Sequence, residues 1–219
     1  MQLTDTNTII ESIQQLNSLL NEMQKPLDNG TQNQLTSLIK LLKKPAESYT
    51  KNDLTQIAED NQGVMQTLFL ETGKSPELRE KYQKIILSFT HWIAFHGGFL
   101  KEIVYPVTAL AQMANTRHDK VSLEALYEIA AYMIVATDKN EQSSKTSSSW
   151  HRLIINYAII ATRTHNPDLM ESAFKTLLKY FPESAPNFFQ QGMSEMVRLN
   201  YPSHVRVVMK KYLDDNTKA

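Results

Sequence analysis

The chain has 219 residues, 23 Lys plus Arg against 23 Asp plus Glu, no cysteine and a hydrophobic share of 42%. Balanced charge leaves no global field to draw it toward nucleic acid, an anionic membrane or an acidic substrate, and the lack of cysteine removes disulfides, thiolate metal sites and a cysteine nucleophile. Only 6 glycines occur, two of them the adjacent Gly97 and Gly98, which is too little turn chemistry for hairpins or barrels, so an all-α protein is expected. No window approaches the roughly 18 apolar residues of a membrane span. The N-terminus carries Asp5 and Glu11 around isolated isoleucines in place of a secretory signal, so a cytoplasmic protein is expected.

The first predicted helix runs from Thr6 to about Gln24, with Ile9, Ile13, Leu16, Leu20 and Met23 in alternating steps of four and three. This seam suits a helix docked in a bundle, and it equally suits a homodimer of a self-associating structural or regulatory subunit. Pro26, Asn29 and Gly30 end it, and a second run, Leu35 to Leu42, stops before Pro45. Residues 1–45 therefore read as an N-terminal helical hairpin. Lys44 to Lys51 reads as a hinge or domain edge, and residues 46–219 as a helical repeat-like domain.

Beyond the edge, Leu54, Ile57, Ala58, Val64, Met65, Leu68 and Phe69 keep helical spacing up to a C-cap at Gly73. Ser75, Pro76 and Glu77 mark a new start, with the serine as cap, for a helix burying Leu78, Tyr82, Ile85, Ile86, Phe89, Trp92 and Ile93 before Gly97 and Gly98. Phe99 to Ala114 contains Pro106, which either kinks or restarts it. Val121 to Val135 is the next helix. Residues 138–149 are a polar run read as a mobile connector. Trp150 to Thr164 is apolar nearly all round and is expected to occupy the centre of the core.

From Asn166 to Leu213 the helices are punctuated by Pro167, Pro182 and Pro202, with Pro167 and Pro202 separated by 35 residues. Turns this short force antiparallel neighbours, so the expected architecture is a short α-solenoid or superhelix of stacked antiparallel hairpins. Pro182 closes one unit; Leu177, Phe174 and Met170 precede it at helical spacing, and Ala185, Phe188, Phe189 and Gly192 open the next. Across Trp150 to Leu213 this pattern resembles a tetratricopeptide repeat, a helix-turn-helix unit of about 34 residues. Met170 and Leu177 are larger than the family's usual alanines, and Glu195 and Lys211 are charged where small or apolar residues are usual.

The resemblance implies a non-catalytic interaction module or adaptor. A peptide, helix or protein partner would lie along the inner faces of the first helices, here Arg152, Ile155, Asn156, Ile159, Arg163, Phe189, Gln190, Met193 and Met196. Some members capture a partner's carboxylate with Lys and Asn, but Ile155 and Ile159 stand where that clamp would be, so such capture is not expected.

No enzymatic motif supports a competing reading: the chain has no Gly-rich phosphate loop, no His-Glu-x-x-His and no Glu-x-x-His. No cofactor or metal is therefore expected. His91 and His96 are five apart and point in different directions on a helix, yet with Phe89, Trp92 and Phe95 they are the best candidates for a cofactor- or metal-binding bundle. His165 and Asp168 straddle Pro167, where Asn166 or Asp168 serves as a helix cap more simply than as a ligand. Arg198, His204, Arg206, Lys210 and Lys211, with Tyr201 and Tyr212 interleaved, form the most basic stretch, but Asp214 and Asp215 lie beside it, so nucleic-acid binding is not expected.

Overall fold

The structure, a computed structural model, describes residues 6–23, 26–72, 75–138 and 148–216. α1 (Thr6–Glu22) and α2 (Asn29–Leu42) form the N-terminal hairpin, followed by a 3-10 turn at Ala46–Ser48. α3 (Lys51–Asp60), α4 (Gln62–Thr72), α5 (Pro76–Phe95), α6 (Val104–Thr116) and α7 (Lys120–Asp138) make the middle of the chain. α8 (Ser148–Arg163), α9 (Pro167–Tyr180), α10 (Ala185–Arg198) and α11 (Ser203–Asn216) complete it. The fold is all-α: antiparallel hairpins are stacked so that α8 packs on α7 and α9, α10 on α11, and α11 back on α9. No helix among the described residues is long and apolar enough to cross a membrane.

Local chemistry explains most boundaries. Asp28 caps α2 by accepting from the Thr31 amide at 3.0 Å, and Thr50 with Asp53 forms a reciprocal capping box at the start of α3. Asn166 caps α9 by accepting from the Asp168 amide at 3.0 Å, with Pro167 in the first turn. Ser75 precedes α5 in extended backbone, with Pro76 opening the helix, but its side chain makes no capping hydrogen bond. The expected run from Leu54 to Phe69 is broken at Asn61, a buried side chain that turns back to donate to the Ile57 carbonyl at 2.8 Å. Pro106 restarts rather than kinks its segment: α6 begins at Val104, placing the proline in the first turn, where its missing N–H costs no helical bond. Of the expected connector at 138–149, Ser148 and Ser149 already belong to α8, and residues 139–147 lie outside the described residues, as does Gly73.

The core is one continuous apolar cluster running from Ile9 to Tyr212. Its hub is α5, not the Trp150 to Thr164 helix that the sequence favours. Every side chain from Ile85 to Ala94 is buried, and α5 packs against α1, α3, α4, α6 and α7. α8 buries Trp150, Leu153, Ile154, Tyr157, Ala158, Ile160 and Ala161 but leaves Ile155 half-buried and Ile159 38% exposed, so it keeps one open flank.

The N-terminal seam is consumed within the chain. Ile9, Ile13, Leu16 and Leu20 are buried and α1 lies on α5 and α2, with Met23 packed at the margin, so these five residues offer no free face to a second copy. The expected domain edge is also tied down: Tyr49 donates its hydroxyl to the Leu41 carbonyl at 2.8 Å and meets Trp92 edge-on at 6.0 Å. Gly98 explains the close approach of α3 to the end of α5, since a Cβ there would stand 2.8 Å from both Leu54 Cβ and Ile93 Cγ2.

The second helices of the last two hairpins repeat each other position by position. α9 buries Met170, Ala173, Phe174 and Leu177; α11, 35 residues on, buries Val205, Val208, Met209 and Tyr212. The turns repeat as well, because His165 (φ 56°) and Asn200 (φ 52°) both take the left-handed conformation that ends a helix ahead of a proline. Phe174 is the joint between the units, meeting Phe189 and Tyr212 edge-on at 5.1 Å each.

Candidate functional site

An open cleft of about 670 Å³ lies between α8 and α10. Ile155, Ile159, Thr162 and Arg163 form its α8 wall, and Phe188, Gln191, Gly192, Glu195 and Met196, with Leu199 just past the helix end, form its α10 wall. Met209 and Tyr201 complete the lining from the α11 side, and Asn115 and His118 from the end of α6. The cleft exists because α10 leans on α11, and α11 on α9, while α8 is held by α6, α7 and α9. Exposure of Ile159 (38%) and Leu199 (51%) leaves apolar surface facing water at its mouth.

Four of the nine residues expected from the sequence meet here: Ile155, Ile159, Arg163 and Met196. The others do not line the cleft. Phe189 is wholly buried in the joint with Phe174, Arg152 and Gln190 are exposed elsewhere, Met193 packs against the core, and Asn156 donates to the Arg152 carbonyl at 2.7 Å. The physical reason is rotation. Neighbouring helical residues stand about 100° apart, so reading Phe189 and Met193 as the inner face in place of Phe188 and Gly192 turns α10 by roughly one residue. The stripe Phe188, Gly192, Met196, Leu199, at steps of four, four and three, was available in the sequence.

Arg163 is less free than its place in the lining suggests. Its guanidinium donates to the carbonyls of Ala114 and Arg117, the latter at 2.6 Å, and lies 3.2 Å from His118 Nδ1. It thus caps the carbonyl end of α6, where a cation is favoured by the helix dipole. Glu195 is paired with Arg198 one turn along α10, and this partner holds its carboxyl below the usual range. Burial raises the Tyr201 hydroxyl above its ordinary value; Arg163 opposes the rise and Glu195 adds to it, so the three groups share one polar end of the cleft. Gly192 forms part of the floor because a Cβ there would stand 2.6 Å from Met209 Cε.

The second candidate region, on α5, is a packed aromatic cluster. His91 is stacked on Phe95 at 5.6 Å and meets Tyr132 edge-on at 5.0 Å; Trp92 meets His96 edge-on at 5.8 Å, and Phe89 is buried. Among the described residues, no three His, Asp or Glu side chains come together as a metal site would require. The basic C-terminal stretch is partly neutralised: Arg198 pairs with Glu195, and Lys211 with Glu171 at 3.2 Å. His204 Nε2 lies 3.3 Å from the His165 carbonyl, and burial, with His204 adding to it, lowers the His165 pKa.

Comparison with protein-family models, with curated proteins and with solved structures returns no match.

Proposed function

We propose that the protein is a non-catalytic interaction module in which the α8–α10 cleft receives an apolar helical segment of a protein partner. The observation that carries this reading is the cleft itself: about 670 Å³, walled by two helices, apolar along its length through Ile155, Ile159, Phe188, Met196 and Leu199, and polar at the end that holds Arg163, Glu195 and Tyr201. Two flanking helices suit an amphipathic helix laid between them, with anchors at i, i+4 and i+7 meeting the two walls. Met196 and Met209 give the floor an adaptable shape. The 35-residue recurrence of buried positions in α9 and α11 is the motive for reading this part as a stacked-hairpin scaffold in which the first helices face the partner.

The test is a selection of displayed amphipathic helical peptides on the full chain, with Ile159→Glu as the counter-selected variant. The reading predicts enriched sequences with apolar residues at helical spacing, whose binding drops at least about tenfold on Ile159→Glu or Leu199→Glu (a loss of about 1.4 kcal/mol). Failure to enrich any such sequence, or binding indifferent to both substitutions, would overturn it.

A further inference from the structure

Among the described residues, His91 is buried with both ring nitrogens unpartnered. It is 1% exposed, in the middle of the hub helix. A buried polar group without partners costs stability, and the cost rises steeply when the group is charged. Its neighbours include two aromatic rings that form a partial cage: Phe95, itself 49% exposed, stacks on it, and Tyr132, from α7, stands edge-on to it. Two charged or titratable groups act on it electrostatically. Glu128, one turn before Tyr132 on α7, favours the imidazolium, and His96 on α5 opposes it. Burial outweighs Glu128, and the His91 pKa lies below the ordinary histidine value. Glu128 is itself exposed.

We propose that His91 is an acid-triggered release in the packing of α7 on α5: neutral, it fills the cage, and on protonation it leaves the cage toward Glu128 and loosens α7. One proton is taken up from solvent, on a free ring nitrogen, and no bond to carbon changes. Because the unfolded chain holds the higher pKa, the contribution of the caged neutral ring is complete above about pH 6.5 and is lost as pH falls from there through the lower folded value. This window lies above that of the paired carboxylates. Glu80, Glu171 and Glu195, with pKa values lowered by Arg117, Lys211 and Arg198 respectively, give up their contributions only as pH falls below the ordinary carboxylate range. His165, also lowered by burial, lies on the same side of the ordinary histidine value and supplies the background against which His91 is read.

The experiment compares wild type with His91→Phe, which keeps an aromatic ring in the cage and removes the titration. Amide-exchange protection of α7 and urea stability are measured at pH 7 and pH 5, and the His91 ring proton is titrated by NMR. In wild type the ring titrates below pH 6.5, and α7 protection falls by up to about tenfold for each unit by which the folded pKa lies under the free value. His91→Phe removes that fall and leaves only the His165 share, while Glu128→Gln moves the His91 midpoint lower still. Should His91→Phe fold poorly, the wild-type ring titration and the Glu128→Gln shift decide. A midpoint at or above 6.5, or an unmoved midpoint in Glu128→Gln, would overturn the proposal, as would equal pH 7 to 5 losses in wild type and His91→Phe.

Discussion

α5 and α10 are both amphipathic helices read from ordinary apolar spacing, yet one is enclosed and the other is half open. α5 meets five other helices and buries every side chain from Ile85 to Ala94, including Ser88, Thr90 and His91. α10 buries only Ala185, Phe189 and Met196, and turns Phe188, Gly192, Glu195 and Leu199 to a cleft. The difference lies in their neighbours rather than in their own letters. Stability is concentrated where helices converge on one axis, and an open cleft is left where a hairpin leans outward on its partner.

The contrast should break most sharply under truncation. Trp92→Ala removes a ring that is 1% exposed and joined to Tyr49, and is expected to cost about 3–5 kcal/mol in urea unfolding; a loss under about 1 kcal/mol would mean that α5 is not the hub. The same Gly→Ala change then separates the two regions. At Gly98 the new methyl meets Leu54 Cβ and Ile93 Cγ2 and is expected to cost about 1–3 kcal/mol. At Gly192 it meets the flexible end of Met209, and the gain in helix propensity of about 0.5–1 kcal/mol offsets the displacement, so stability should stay within about 0.5 kcal/mol. Equal losses at the two sites would erase the distinction.

Arg163→Met tests the seam between the two regions. Loss of its donation to the Ala114 and Arg117 carbonyls should cost about 1–2 kcal/mol and reduce amide protection at the end of α6. No change there would reassign Arg163 to the cleft alone. Smallest in stability is Ile159→Glu, expected within about 0.5 kcal/mol by thermal unfolding because the side chain already faces water. A large loss would show that the cleft is part of the core.

Much of this contrast could be read from the letters, and the rest could not for identifiable reasons. The Ile9 to Leu20 stripe, the Asn166–Pro167 start of α9 and the 35-residue step from Pro167 to Pro202 are local patterns, and each appears in the structure as spacing and capping rules require. The break at Asn61 had a local sign in Asn61 and Gly63, outweighed by the apolar run around it. The burial of α5 was hidden because Gln83, Ser88, Thr90 and His91 dilute its apolar period, whereas α8 looks more apolar and yet is covered on fewer sides. On α10 the cleft is lined by Phe188 and Met196 and not by Phe189, because Phe188 and Phe189 are alike in chemistry and differ only in the direction set by the packing of α10 on α11. Long-range placement of this kind brings Asn115 and His118 to the site from α6, and no local pattern contains it.

The most direct measurement is methyl NMR of the full chain, labelled at Ile and Met, titrated with a helical peptide selected on it. The account predicts shifts confined to Ile155, Ile159, Met196 and Met209, with Ile9, Ile13 and Met133 unmoved. Shifts spread through the core, or centred away from α8 and α10, would contradict the account.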